Sequence, residues 1–253
     1  MSHMKSVVKF AKSLVYRAIV KSKERKWKGK LNYLYYNHHS ETLLIIFSGF
    51  TIGCGRKYSY LKNMALPDID RLYILDPFGY QGSYNLYENG SNYPEQLTEE
   101  LIRHIISQGG YKHVYTAGSS KGGTCALYFG LPIHADAILT GACQYNLGSF
   151  LHRPDHDEIF RGMMGANAAE AECEFLNSVM PKRLEHYCNS KTVVHVLYSK
   201  KEKTYERQIV DLLAKLRECN ITTIEQEEFF DRHECVGPPF LAYMRKYFLQ
   251  INR

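Results

Sequence analysis

The stretch His113-Val-Tyr-Thr-Ala-Gly-Ser-Ser-Lys-Gly-Gly-Thr-Cys-Ala-Leu-Tyr-Phe129 decides how the rest of this chain is read. A short run rich in β-formers, His113 to Ala117, stops at glycine, and a second apolar run with helical character, Cys125 to Phe129, starts after only seven intervening residues. Between them, Gly118-Ser119-Ser120-Lys121-Gly122 has the spacing G-x-S-x-G. A serine nucleophile needs such a strand-turn-helix element, because the sharp turn lifts its hydroxyl above the sheet edge and the flanking glycines let strand and helix backbones approach. The plainer reading is a glycine-rich turn that only closes the fold; the position between a buried strand and a helix favours the nucleophile. Ser120 is therefore the candidate nucleophile, and the expected fold is α/β, an α/β-hydrolase-type mostly parallel sheet with helices on both faces.

Working outward, residues 31–37 alternate apolar and polar and residues 42–48 are apolar, which predicts a leading strand pair. A short helix is expected over 57–64, a strand over 71–75, and a helix over 93–107 entered through Pro94 and acidic residues. Downstream the pattern predicts a helix over 121–129, a strand over 137–140, and two helices around 168–176 and 183–187. A strand over 192–198, a helix over 205–217, a strand over 222–226 and a terminal helix over 238–249 complete the alternation. Residues 144–165 lack a clear period and are the lid candidate. The domain reading is a basic amphipathic N-terminal helix over 1–30 and one α/β-hydrolase domain over 31–253.

A lone serine is a poor nucleophile at neutral pH, so a base and an orienting acid are required, and in this fold they follow in the order Ser, acid, His. The strand over 192–198 runs into Ser199-Lys200-Lys201-Glu202, and the strand over 222–226 into Phe229-Phe230-Asp231-Arg232-His233. Glu202 and His233 thus fall beyond the carboxyl ends of neighbouring strands, with Glu206 and Asp231 as reserve acids. An acyl-transfer oxyanion would need two backbone donors: the Lys121 N–H after the nucleophile, and one from the turn Gly49-Phe50-Thr51. Arg56 and Lys57, in the adjoining loop, could meet the phosphates of an acyl donor, solubility being the blander reading. No metal is expected: His152-Arg-Pro-Asp155-His156-Asp157 has no regular ligand spacing. Cys235 follows the base and is read as packing.

Composition narrows the classes. The chain has 253 residues, 45% apolar and 23% charged, enough for one sizeable core. No apolar run approaches the ~20 residues of a membrane-spanning helix. Seven cysteines without a C-x-x-C pair argue against a disulfide framework or a structural zinc site. Met1-Ser2-His3 looks like a vector remnant, and no secretory cleavage site follows, so a cytoplasmic address is expected. Residues 5–30 hold ten Lys/Arg and one Glu, which leaves the remainder net acidic. That segment has helical apolar spacing and suits the inner face of an anionic membrane or a docking contact with an acidic partner or capsule complex; the plainer reading is a helix that covers a sheet edge or makes an oligomer contact. Nucleic acid is not an expected partner, since only Trp27 accompanies the basic run.

Four blocks carry a family resemblance: Leu43-Leu-Ile-Ile-Phe-Ser-Gly-Phe50, Lys57-Tyr-Ser-Tyr-Leu-Lys62, Leu75-Asp-Pro-Phe-Gly-Tyr-Gln-Gly-Ser-Tyr84 and Gly118-Ser-Ser-Lys-Gly-Gly123. Together they resemble the CpsF/XcbB-type capsular polysaccharide biosynthesis proteins and the α/β-hydrolase-fold capsule O-acetyltransferase of meningococci. The resemblance runs from about residue 31 to the C-terminus. It implies that Ser120 carries the acyl group, that His233 is the base, and that Glu202 stands where the family commonly has Asp. It also implies acetyl-CoA as co-substrate, no permanently bound cofactor, and a polysaccharide or glycan acceptor. The expected function is a serine-dependent acyltransferase that O-acetylates a bacterial surface or capsular polysaccharide. The alternatives are a serine esterase (glycan deacetylase) with the same triad, or a non-catalytic scaffold of a polysaccharide assembly complex.

Overall fold

The computed structural model describes residues 16, 18, 20–50, 57–62, 64, 66 and 68–251. Eight strands form one sheet: β1 (Arg25–Trp27), β2 (Leu31–Tyr36), β3 (Thr42–Phe47), β4 (Asp70–Leu75), β5 (His113–Ser119), β6 (Ala137–Gly141), β7 (Val193–Tyr198) and β8 (Thr223–Glu227). Their spatial order is β1-β2-β4-β3-β5-β6-β7-β8. β2 lies antiparallel to both β1 and β4, and every pairing from β4 through β8 is parallel. This is the α/β-hydrolase-type sheet expected from the sequence.

The parallel strands read as continuous apolar runs because both faces are covered. On β3, Leu43, Ile45 and Phe47 enter one core while Leu44 and Ile46 enter the other. The first core is covered by α1 (Tyr93–Gly109), α2 (Lys121–Gly130), α5 (Glu170–His186) and α6 (Val210–Glu218). On the opposite face α7 (Gly237–Ile251) buries Phe240, Met244 and Phe248. α1 begins as predicted, with Pro94 in the first turn, where its missing N–H costs nothing, and Glu95 beside the positive end of the helix dipole.

Several local expectations are corrected. The two leading strands do not pair, because β4 lies between β2 and β3. Residues 57–62 form turns rather than a helix; Tyr60 has φ of +62°, outside helical space, while Tyr58 and Met64 are buried from the turn. The two helices expected around 168–176 and 183–187 are one, α5, which carries Pro181 inside it. Arg25–Trp27 is strand β1, so a helix does not continue through residue 30; Val20–Lys23 is helical, and residues 1–15 of the expected basic helix lie outside the described residues. The lid candidate 144–165 contains α3 (Leu147–Leu151) and α4 (Asp157–Met164), which bury Leu147, Phe150, Leu151, Ile159, Phe160 and Met163. It is a packed cap, tied down where the N–H groups of Asn89 and Gly90 donate to Gly162 and Met163.

Candidate active site

All the candidate groups lie beyond the carboxyl ends of parallel strands. Ser120 follows β5 and opens α2 with φ 53° and ψ −129°. A non-glycine residue at such angles is strained by roughly 1–3 kcal/mol, a cost that a structural turn has no reason to retain. Two glycines permit the elbow: a Cβ on Gly118 would collide with the Gly122 carbonyl, and one on Gly122 with the Phe47 carbonyl. The turn is anchored by the Ser120 N–H donating to Gly141 O at 2.7 Å.

Ser120 Oγ lies 2.6 Å from His233 Nε2, although 113 residues separate them in the chain. The His233 ring is about one-quarter exposed and opens a short 3-10 turn (His233–Cys235) before α7. Its Nδ1 is buried, has no hydrogen-bond partner, and faces Glu202 Oε1 at 3.5 Å. That distance is an ion-pair separation, half an ångström beyond a well-formed hydrogen bond. Glu202 is itself buried and fixed: Oε2 accepts from Thr204 Oγ1 at 2.6 Å and Oε1 from the Thr204 N–H at 3.2 Å. Burial pushes its carboxyl up, but the facing His233 ring and donation from Thr204 outweigh this and hold it below the usual glutamate range. The reserve acids Glu206 and Asp231 are exposed.

A carboxyl whose folded pKa is lowered contributes stability above its unfolded pKa and loses it as pH falls through the folded value. Glu202→Gln should therefore be less stable than the native protein at pH 7, with the deficit shrinking below about pH 4.5, the ordinary glutamate value. Urea midpoints of both proteins across that range check this; a deficit independent of pH would show that the loss is packing alone.

The two donor positions behave differently. Lys121 holds the first helical position of α2, so its N–H has no acceptor within the helix and is free for an oxyanion. The Gly49 N–H is already donated to Ser59 Oγ at 3.0 Å. Phe50, next along the turn after β3, is left as the remaining candidate for the second donor. This turn runs close to the elbow, since a Cβ on Gly49 would lie 3.6 Å from Ser119 O. Lys57 is exposed, and Arg56 and Thr51 lie outside the described residues.

Sequence reasoning missed a buried ion pair beside the elbow. Lys121 Nζ and Asp76 Oδ2 are 2.9 Å apart with both side chains 1% exposed. Asp76, just beyond β4, also accepts from the N–H groups of Phe78 (3.2 Å), Ser83 (2.6 Å) and Asn85 (3.1 Å). One carboxylate thereby pins the loop 76–85 to the residue after Ser120. Behind the elbow, Tyr60 Oη and Ser119 Oγ are 2.5 Å apart. His152, Glu170 and Cys173 bring a nitrogen, an oxygen and a sulfur within 4.8 Å of one another; nothing in the elbow touches them.

The match that decides the family covers almost the whole chain. Residues 14–251 fit the accessory Sec system GspB-transporter family. This protein belongs to that family. The description differs from the CpsF/XcbB-type name expected from the sequence, and no curated protein matches. Among solved structures, the capsule O-acetyltransferase of Neisseria meningitidis serogroup A is 22% identical, with a TM-score of 0.74 over 90% of this chain and 93% of that one. A histidine-to-alanine variant of that enzyme in complex with CoA is 21% identical at TM-score 0.73, covering 91% and 94%. A glycosylation-associated protein complex from Streptococcus agalactiae is 23% identical at TM-score 0.70, covering 89% of this chain but 46% of its own. These likenesses establish a shared fold, and an α/β hydrolase enzyme from a lagoon-sediment metagenome shares it at 12% identity and a TM-score of 0.55 over 91% of this chain and 99% of its own. Among the described residues no helix is long and apolar enough to cross a membrane.

Proposed function

We propose that the protein is a serine-dependent O-acyltransferase that takes an acetyl group from acetyl-CoA onto Ser120 and passes it to a hydroxyl of a surface or capsular glycan. The observation that carries this reading is the 2.6 Å contact between Ser120 Oγ and His233 Nε2 on a strained elbow. A meningococcal relative of the same fold that acetylates capsule and has been captured with CoA supports the choice of donor.

In the first half-reaction Ser120 Oγ attacks the thioester carbonyl and its proton moves to His233 Nε2. The tetrahedral oxyanion is met by the Lys121 and Phe50 N–H groups, each worth about 3 kcal/mol in comparable sites. Collapse breaks the carbon–sulfur bond, and CoA leaves as the thiol with the proton from His233. In the second half-reaction a sugar hydroxyl attacks the acyl-serine carbonyl and yields its proton to the same nitrogen. Collapse breaks the bond between the acyl carbon and Ser120 Oγ, releases the O-acetylated sugar, and returns the proton from His233 to Ser120.

Glu202 keeps Nδ1 protonated and stabilises the imidazolium formed twice per cycle. Its 3.5 Å separation must close as the ring becomes charged. Glu202→Gln keeps the shape without the charge and should lower kcat by about 10³–10⁴-fold. A decrease under tenfold, in steady-state assays of CoA release, would leave the acid without a role.

The esterase reading rests on the one-quarter exposure of His233, which lets water compete as acceptor. Release of CoA should separate the two. Stimulation by a glycan acceptor, with acetylated sugar in the products, supports transfer. Acetate as the sole product at every acceptor concentration supports hydrolysis and defeats the transferase reading.

A further inference from the structure

Beside the elbow lies a cleft of about 220 Å³ lined by Phe50, Tyr80, Gln81 and residues 154–159. It is too small for a whole CoA, being below the ~300–1,000 Å³ of pockets that hold drug-sized ligands, and suits a single sugar ring. One end lies toward the reaction centre, separated from His233 by Phe150. His156 at that end packs on Phe150 with ring centroids 4.7 Å apart, and Phe150 faces the His233 ring at 6.4 Å. Phe50, the second oxyanion donor proposed above, forms part of the wall. The outer end carries Tyr80, which is 63% exposed.

The lining chemistry is selective. Asp155, Asp157 and Glu158 supply carboxylate acceptors, and Gln81 an amide. His156 Nδ1 lies 2.9 Å from Arg153 Nη2 and 3.2 Å from Asp155 Oδ1, so the ring sits between a cation and a carboxylate. Burial, with further pressure from Arg153 and His233, also holds His156 below the ordinary histidine range despite the neighbouring Asp155. Two carboxylates are partly neutralised, Asp157 by Arg161 at 2.7 Å and Asp155 by Arg153 at 3.4 Å. Glu158 is exposed and has no such partner among the described residues. Among the described residues no unpaired cation lines the cleft, so phosphates and sugar carboxylates would meet repulsion there, whereas sugar hydroxyls and amines would find acceptors. A flat, exposed tyrosine beside hydroxyl acceptors is the surface a pyranose ring needs, its C–H face on the ring and its edge hydroxyls on carboxylates.

We infer that this cleft is the acceptor subsite, which takes one uncharged or amine-bearing sugar ring on Tyr80, reads its hydroxyls with Glu158 and Gln81, and excludes anionic sugars. The inference rests on the acyltransferase reading and narrows it: the acceptor ring at this position carries neither phosphate nor carboxylate. Tyr80 and Glu158 are specificity-determining, since they lie at the rim away from the proton transfers.

Saturation-transfer NMR on the full chain with methyl glucoside, glucosamine and glucuronate tests it. Signals are expected from the first two and not from glucuronate. Tyr80→Ala should lower the methyl glucoside signal at least fivefold, and Glu158→Lys should bring glucuronate up. Both side chains are exposed, and circular dichroism confirms that the variants fold. Equal methyl glucoside signals in native protein and Tyr80→Ala, or a native preference for glucuronate, would overturn the assignment. Acetylation of Ser120 is read separately by mass on the native protein, so failure to acetylate removes the acyltransferase reading, whereas failure of the sugar signals removes the cleft alone.

Discussion

Replacing Ser120 or His233 by alanine should reduce turnover by about 10⁵–10⁶-fold, each alone costing as much as both together. The non-additivity is the informative part. Ser120 Oγ and His233 Nε2 share one proton at 2.6 Å, so removing either leaves the other without a task. Two residues contributing independently would give losses that multiply in the double variant. Steady-state CoA release by the two single variants and the double variant distinguishes these cases. Stability should barely change in Ser120→Ala, because alanine at φ 53° keeps the existing strain and loses only one partly exposed hydroxyl. Lost activity with an unchanged urea midpoint would therefore locate the defect in chemistry.

Asp76→Asn should be the most destabilising single substitution near the site. It strands the Lys121 ammonium, 1% exposed, without its counter-ion, and breaking one side of a buried pair costs about 3–5 kcal/mol. Against a typical total of roughly 5–15 kcal/mol, the variant should melt about 10 °C lower or fail to accumulate. Asp76→Asn combined with Lys121→Met should recover part of the loss, since removing both charges is far cheaper than removing one. Recovery should be incomplete, because the Asp76 carboxylate also receives three backbone N–H groups from the loop 76–85. A double variant as unstable as Asp76→Asn would mean that the ion pair contributes nothing beyond those backbone bonds.

The sheet was legible because buried parallel strands leave short continuous apolar runs, and residues 42–48, 113–117 and 192–198 announced themselves in that way. Strand neighbours were not, since β2 and β3 are consecutive in sequence yet separated by β4, and nothing local records which strand is inserted. The turn over 57–62 imitated a helix: Tyr58 and Leu61 have helical spacing, but they meet the core from a backbone that Tyr60 turns left-handed. Pro181 made one helix look like two.

In the candidate site, the order of Ser120, Glu202 and His233 followed from where the strands end. The Asp76–Lys121 pair did not, because burial of a charge leaves no mark in a sequence. Its only signals were a lysine at the start of an otherwise apolar helix and an aspartate directly after a fully buried strand. Gly49 was expected as a donor from its position, and only the Ser59 hydroxyl on its N–H reveals that it is engaged.

The central claim is that Ser120 carries the acyl group, and intact mass of the purified protein after brief incubation with acetyl-CoA tests it most directly. A mass increase of one acetyl group in the native protein, absent from Ser120→Ala and discharged when an accepting glycan is added, is the predicted result. An unmodified native protein, or an adduct that persists in Ser120→Ala, would contradict it.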